Sequence, residues 1–378
     1  MKHIGLYLHI PFCIQKCNYC DFTSISTQSV IPEYINALVY EIQRKARPDF
    51  QVDTIYFGGG TPSILNDNEI SCLCQTIRNH WYLIDHPEIT IEVNPGTISS
   101  KKIKSWKILG INRINLGVQS FHDHHLQQLG RIHDAKEAIT AIQCLKEAGF
   151  QNIGLDLIYG IPNQTLNEWK KDLHQAISFY PQHLSCYLLT YEPGTQLHQK
   201  LQNNEILTLS DRLLKQMIQT LFQTMAEHKY DHYEISNFAS HRKFRSQHNQ
   251  KYWQHLPYIG LGAASHSFIN NKRFWNCSDV TEYIKKLSSH CDPIESFESL
   301  SLEQQIIEFI FLGLRQKNGI NTYEFNTIFP YRFKALFSEP LRELEPRGYL
   351  EILNTSCRLS EKGKYYLDSI CQRMVDAI

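Results

Sequence analysis

Over its first half the chain alternates short β-branched or aromatic runs with longer amphipathic ones, and this alternation leaves few folds open. Strands are predicted near residues 4–10, 54–58, 89–93, 113–118, 153–158 and 183–189, with helices between them near 31–46, 67–80, 99–108, 134–148 and 165–179. A strand that returns to the sheet through a helix lies parallel to its predecessor, because parallel neighbours need a long crossover. Asp134 and Glu137 have the spacing of a capping box, and Gly149 supplies a stop for the helix between them. Six units are too few for an eight-fold barrel. The expected fold class is α/β, a partial (β/α)6 barrel with a lateral gap where a large substrate can enter.

A chain of 378 residues with 42% apolar content suits one main domain and a smaller one. Residues 1–200 are expected to form the barrel, 201–300 a connecting region, and 301–378 a small α+β C-terminal domain. In the last, Ser301-Leu302-Glu303 opens a helix, 332–345 makes another, 348–352 and 357–359 pair as strands around Asn354, and 360–375 closes as a helix. That order resembles a winged-helix module. Such modules often bind DNA, but Glu343, Glu345 and Glu351 argue against a nucleic-acid face, as does the balance of 38 basic and 38 acidic residues. Packing on the barrel or contact with a protein partner is expected instead.

Directly after the first strand come Cys13, Cys17 and Cys20, a C-x₃-C-x₂-C triplet. Three thiolates on one short loop fill three corners of a [4Fe–4S] cluster and leave one iron open to a small molecule. Tyr19 and Phe22 would shield it from solvent. The competing assignment is zinc, with His9 or another of the 18 histidines as fourth ligand, although no second C-x₂-C pair exists. No signal-peptide pattern and no membrane-spanning apolar run is seen, so a cytoplasmic location is expected. There the other eight cysteines, Cys72, Cys74, Cys144, Cys186, Cys277, Cys291, Cys357 and Cys371, are expected as reduced, buried small hydrophobes.

In βα barrels the working groups sit at the carboxyl ends of strands. The Cys loop follows strand 1, Gly58–Gly60 follow strand 2, Glu92 lies on strand 3, Gln119 ends strand 4 and Asp156 lies on strand 5. Three residues without Cβ let a strand end approach a ligand closely. Alone, the glycines equally suit an ordinary tight turn, and Asp156 alone suits a satisfied polar residue at a strand end.

Cys13-x₃-Cys17-x₂-Cys20, Gly58-Gly59-Gly60-Thr61-Pro62, Ile91-Glu92-Val93-Asn94-Pro95, Leu116-Gly117-Val118-Gln119-Ser120-Phe121, Leu155–Pro162 and His248-Asn249-Gln250-Lys251-Tyr252-Trp253 together resemble the radical S-adenosylmethionine (SAM) superfamily. Within it the chain is similar to the group of oxygen-independent coproporphyrinogen III oxidases and heme chaperones, along nearly its whole length. The resemblance implies a [4Fe–4S] cluster on Cys13, Cys17 and Cys20, and SAM held by Gly59, Gly60, Thr61, Glu92, Gln119, Arg131 and Asp156, with Tyr7 and Tyr19. The amine and carboxylate of SAM are hard donors that can chelate the open iron, and one electron into the sulfonium releases methionine and a 5′-deoxyadenosyl radical.

Within this group the oxidases carry another Cys where this chain has Phe22, and they have an amino-terminal extension where only twelve residues precede Cys13 here. His248-Asn249-x-x-Tyr252-Trp253 marks the heme-chaperone branch. The resemblance therefore implies a carrier that binds heme and passes it to acceptor apoproteins, membrane-associated respiratory enzymes among them, with a separate electron donor for the cluster. Coproporphyrinogen oxidation is not expected, and SAM cleavage stays open. An imidazole can ligate heme iron, tyrosine and tryptophan rings can cover the porphyrin, and cations such as Arg242, Lys243 and Arg245 can meet its propionates. His248 is expected as the iron ligand, with Asn249, Tyr252 and Trp253 around the heme; His255 and His266 compete for that role, and an isolated histidine is more often simply hydrogen-bonded.

Overall fold

The computed structural model describes all residues, 1–378. Six strands, β1 (Lys2–Ile10), β2 (Phe50–Gly59), β3 (Tyr82–Val93), β4 (Arg113–Gln119), β5 (Ile153–Tyr159) and β6 (His183–Leu188), stand side by side in chain order, each parallel to the next. The five predicted crossover helices are present as Ile31–Arg44, Asp67–His80, Ser100–Ile108, Ala135–Glu147 and Leu166–Ser178. Asp134 and Glu137 close the capping box, and Gly149 takes the left-handed φ of 80° that ends that helix.

Side chains alternate across each strand, and the two faces have different chemistry. Ile4, Leu6, Leu8 and Ile10 of β1, Ile89, Ile91 and Val93 of β3, Ile114, Leu116 and Val118 of β4, and Ile153, Leu155 and Leu157 of β5 are buried in one core of 58 residues. The residues between them include Glu92, Asn115, Gly117, Gln119 and Asp156, which line a common cavity. Period two thus gathers polar groups from three strands inside the barrel while the helices bury the apolar set.

The sheet does not stop at six strands. The short β7 (Asp231–His232) and β8 (Asn237–Ala239) add antiparallel at the β6 edge. At the other edge β9 (Tyr258–Leu261) runs parallel to β1, followed by antiparallel β10 (His266–Ile269), β11 (Lys272–Asn276) and β12 (Ile294–Ser299), giving twelve strands in all. Residues 201–300, set apart on composition, pack largely into the main core through Met217, Leu221, Met225, Ile259, Leu261, Tyr283 and Leu287. Buried Glu41 joins this edge to the helix Ile31–Arg44: it accepts from Gly262 N (2.7 Å), Asn276 Nδ2 (2.7 Å) and Tyr283 Oη (2.6 Å) and pairs with Lys45 (2.6 Å).

Residues from 301 onward form a separate core of 16 buried residues, in which the rings of Phe325, Phe333 and Phe337 lie 5.0–5.8 Å apart. The helix Leu302–Arg315 starts at a Ser301–Gln304 capping box, and β13 (Ile320–Asn321), β14 (Leu350–Ile352) and β15 (Ser356–Leu359) pair in the order β13-β15-β14. This is the winged-helix-like order expected. The helix predicted over 332–345 is broken at Phe337 into Phe333–Leu336 and Ser338–Leu344, and the final one narrows to Leu367–Val375 after a 3₁₀ turn. Two of the acids there are locally compensated: Glu343 pairs with Arg347 and Arg373, and Glu351 with Arg358. Arg315 to Glu234 (2.8 Å) and Lys317 to Asp231 (2.7 Å) fasten this unit to the barrel.

Three cysteines depart from expectation, since Cys72 and Cys291 are exposed and Cys144 is half-buried; none of the eleven is in a disulfide. No helix is long and apolar enough to cross a membrane.

Candidate functional site

The ends of β1 and β2 shape the cysteine loop. Gly60 N–H donates to the Ile10 carbonyl (2.9 Å) and Thr61 N–H to that of Phe12 (2.8 Å), locking the glycine turn against the loop's entry. A Cβ on Gly60 would stand 2.7 Å from the Phe12 carbonyl oxygen, so only glycine permits this approach. Further on, Asn18 donates its backbone N–H to Leu129 O and its side-chain amide to Gln128 O (both 2.9 Å), tying the loop to the segment after β4.

Cys13, Cys17 and Cys20 then face a cavity of about 530 Å³ that also reaches Tyr19, Gly59, Gly60, Thr61, Glu92, Gln119, Arg131 and Asp156. Eleven residues chosen from the sequence therefore share one space. The three sulfurs are not mutually within 4.8 Å; the one His/Cys/Asp/Glu group that meets that limit lies elsewhere. A single zinc with 2.3 Å bonds needs its thiolates about 3.8 Å apart, a closeness the three sulfurs do not share as a set. His9, the alternative zinc ligand, has both ring nitrogens engaged, by the Tyr7 hydroxyl (3.1 Å) and the Thr23 carbonyl (2.9 Å).

Charge is arranged around the cavity wall. Arg131 donates Nη1–H to Cys17 Sγ (3.3 Å) and Nη2–H to the Gly117 carbonyl (3.0 Å), while its buried Nε has no partner. Thr61 Oγ1 donates to Cys13 Sγ (3.5 Å). Glu92 accepts from Tyr56 Oη (2.7 Å) and Gly59 N–H (3.2 Å), and burial pushes its carboxyl up to about 7. Asp156 accepts from Asn115 Nδ2 (2.8 Å), leaves Oδ1 unpaired, and is raised to about 6 by burial. Buried acceptors and a cation with unmade bonds are the groups a polar ligand would satisfy.

Tyr7 is the exception among the expected SAM residues: it faces away from this cavity into a second one. Tyr56, Asn115, Tyr187, Thr190 and Glu192 line the first and escaped the sequence reading. Asn115 alone carried a signal, since it lies on β4 in phase with Gly117 and Gln119.

The short helix Gln247–Trp253 forms a floor to the barrel, with its amino end held by Glu88, which accepts from the N–H of Gln247 (3.2 Å) and of His248 (3.1 Å). His248 is only 1% exposed and lies between Thr54 Oγ1, 2.8 Å from Nδ1, and Tyr252 Oη, 2.9 Å from Nε2. Its ring stacks on Tyr56 at 5.1 Å. With both nitrogens engaged and almost no exposure, His248 stands here as a buried pillar between Thr54 and Tyr252. The four motif residues point different ways: Asn249 reaches the first cavity, whereas Tyr252 and Trp253 line the second.

That second cavity, about 540 Å³, lies between the β9–β11 edge and the helix Leu302–Arg315. His255, His266 and Arg273 line it together with Tyr258, Phe268 and Leu312. Asp21 and Phe22 border both cavities, and Phe22 is 63% exposed, a rim residue rather than the buried shield expected. The cations expected to meet propionates are elsewhere: Arg245 pairs with Asp231 (2.8 Å), Arg242 and Lys243 sit in an outer turn, and the cation at this cavity is Arg273, which holds Glu298 (2.9 Å) and Glu308 (2.7 Å).

Residues 7–176 match the radical SAM superfamily model, and residues 300–366 match that of the HemN C-terminal domain. The heme chaperone HemW of Bacillus subtilis (strain 168) is 34% identical over 364 residues, covering 95% of both chains. HemW of Escherichia coli (strain K12) is 37% identical, with 98% of this chain and 97% of that one aligned, and HemW of Haemophilus influenzae is 39% identical with the same coverage. This chain belongs to the HemW family of radical SAM proteins. The coproporphyrinogen III oxidase HemN of Escherichia coli, a radical SAM enzyme, superposes over 100% of this chain and 91% of its own with a TM-score of 0.86; at 22% identity it shares the fold.

HemW proteins, as members of the superfamily, carry a [4Fe–4S] cluster and SAM, and the first cavity fits both. Three thiolates on one cavity wall, a glycine turn that admits close approach, and unpaired polar atoms on Arg131 and Asp156 are the required groups. A cluster held by Cys13, Cys17 and Cys20 would supply one-electron chemistry beside bound SAM. The chain's own residues hold the loop, neutralise thiolate charge through Arg131, and orient Glu92 by way of Tyr56 and Gly59.

Proposed function

We propose that this chain is a heme chaperone: it holds a [4Fe–4S] cluster on Cys13, Cys17 and Cys20, binds SAM beside it in the first cavity, and carries heme to acceptor apoproteins. The near full-length similarity to HemW proteins supports the carrier role. The observation that carries the placement is the second cavity, where imidazoles, aromatic rings and an arginine surround one space that meets the cluster cavity at Asp21 and Phe22. Heme needs an iron ligand, flat apolar cover and a cation for its propionates, and His255 or His266, Tyr252 with Trp253 and Phe268, and Arg273 supply these in turn. Acceptors on this reading include membrane-associated respiratory enzymes, and a reductase supplies the cluster's electron.

The test is transfer. Heme-loaded, cluster-containing protein is mixed with an apo-cytochrome under anaerobic reducing conditions with SAM, and the acceptor's Soret band is followed. Growth of that band with loss of the donor's is expected, and coproporphyrinogen III should remain unconverted in a parallel incubation. Conversion to protoporphyrinogen without heme transfer would replace this reading by the oxidase one.

A further inference from the structure

Outside both cavities, the β4 and β5 loops bring His122, His124, His125 and Glu168 together. His122 is the residue before the helix Asp123–Leu129, so the His-Asp-His-His run turns its imidazoles back toward the amino end of the helix Leu166–Ser178. There, ligand atoms of His122, His124 and Glu168 all lie within 4.8 Å of one another, the one group of its kind in the chain. His124 Nε2 is 3.1 Å from Glu168 Oε1 and His125 Nε2 is 3.6 Å from Glu168 Oε2. A second, independent observation points to a ligand: His125 is 1% exposed, yet neither of its ring nitrogens has a hydrogen-bond partner.

We propose that these side chains bind one borderline divalent cation of the zinc type. Two imidazoles and a carboxylate, with the unpartnered imidazole of His125 beside the same Glu168, are a donor set such ions prefer, whereas Mg²⁺ and Ca²⁺ prefer all-oxygen sets. The supporting bonds are in place. Glu168 is oriented by the capping box, Oε2 accepting from Thr165 N (2.8 Å) and Thr165 Oγ1 (2.7 Å), which leaves Oε1 facing His124. His122 Nε2 lies 3.3 Å from the Glu168 carbonyl, and the tautomer that donates there keeps a lone pair on Nδ1, as metal-bound histidines usually do. His124 is largely exposed, so an ion can enter from solvent.

Such an ion would bridge the segment after β4 to the helix after β5. The bridged segment carries Gln119 at one end and Arg131 at the other, both on the wall of the first cavity. Its present fastening is Asp172, which accepts from Ser120 Oγ (2.8 Å) and Phe121 N–H (2.7 Å). A cation would add a second clamp two residues further on.

Zinc alone is the probe, titrated into the full chain with its iron–sulfur cluster intact, iron being counted separately. One zinc per chain is expected, with a rise in thermal midpoint, competition by Ni²⁺ or Co²⁺ and none by Mg²⁺. His124→Ala and Glu168→Gln should each weaken binding at least tenfold, while His174→Ala, on the neighbouring surface, should not. Zinc uptake unchanged in the His122→Ala/His124→Ala double variant, or no stoichiometric uptake by the parent protein, would overturn the site; because iron content and heme transfer are measured independently, neither result touches the chaperone assignment.

Discussion

Thr54 Oγ1 and His248 Nδ1 lie 2.8 Å apart inside the barrel, joining β2 to the floor helix across 194 positions of sequence. The bond makes His248 part of the frame that separates two cavities. Removing the imidazole would strand the hydroxyls of Thr54 and Tyr252 and open a void under Tyr56. His248→Ala should cost about 2–4 kcal/mol of stability, by the usual penalties for a buried unpaired group and a cavity. Heme bound to the folded variant should keep the parental Soret maximum; chemical denaturation and a heme titration on one preparation measure both.

The same burial gives a pH signature. Burial depresses His248 to about 3, His232 to about 3 and His133 to about 4, each below the ordinary 6.5 of a free imidazole. An unfolded chain protonates these rings as pH falls through 6.5 while the folded one resists, so their stability contribution is complete above about 6.5 and is lost toward pH 3–4. Thermal midpoints should fall steadily over that interval. A midpoint that is flat from pH 7 to 4 would show these rings to be solvated.

Glu92 runs the other way. Its folded pKa, raised to about 7, exceeds the unfolded value of 4.5, so the carboxylate penalises the fold above pH 7 and the penalty fades as pH drops. Glu92→Gln should therefore leave the fold as stable or more stable at pH 8. It should nevertheless weaken SAM binding by tenfold or more, because the charged acceptor held by Tyr56 and Gly59 is gone. Calorimetric SAM titration of the cluster-loaded variant decides this, and unchanged affinity would remove Glu92 from the site.

Gly60 gives a sharper test of the glycine turn than Gly59. A Cβ at Gly59 meets the His9 ring at 2.7 Å, on a backbone with φ 107°, so substitution there strains the strand end as well as any ligand. At Gly60 the obstruction is the Phe12 and Ile10 carbonyls that set the cysteine loop. Gly60→Ala should reduce cluster loading along with SAM binding. The triple replacement of Cys13, Cys17 and Cys20 by Ala should abolish iron–sulfur absorption altogether while leaving heme uptake in place.

What the sequence made legible follows its periodicities. Glu92, Gln119 and Asp156 could be placed together because strand phase and barrel topology converge on the carboxyl ends, and all three line the first cavity. The edge strands could not: β7 and β8 have two and three residues, and β9–β11 are pairs dictated by the β1 edge, not by pattern. For the same reason Arg273 was invisible as a cavity cation, since its position depends on β11 pairing with β12. His248 shows the reverse difficulty, because a motif histidine looks the same in sequence whether it binds iron or braces Thr54.

The ligand of the heme iron is then sought in the second cavity, and His255 is better placed than His266. His255 lies just past the floor helix with a left-handed φ of 52°, and its buried Nε2 makes no hydrogen bond, standing 3.6 Å from Glu308 Oε2. His266 is exposed and stacked on Trp275 at 5.5 Å, which engages its ring face. Burial keeps the His255 imidazole below its ordinary pKa, so at neutral pH its nitrogen lone pair is free for iron. His255→Ala should shift the Soret band and weaken heme binding at least tenfold, with iron–sulfur absorption unchanged; His266→Ala should alter it less, and Arg273→Ala should weaken binding without moving the band. Identical spectra and affinities for the two histidine variants and the parent would place the heme outside this cavity.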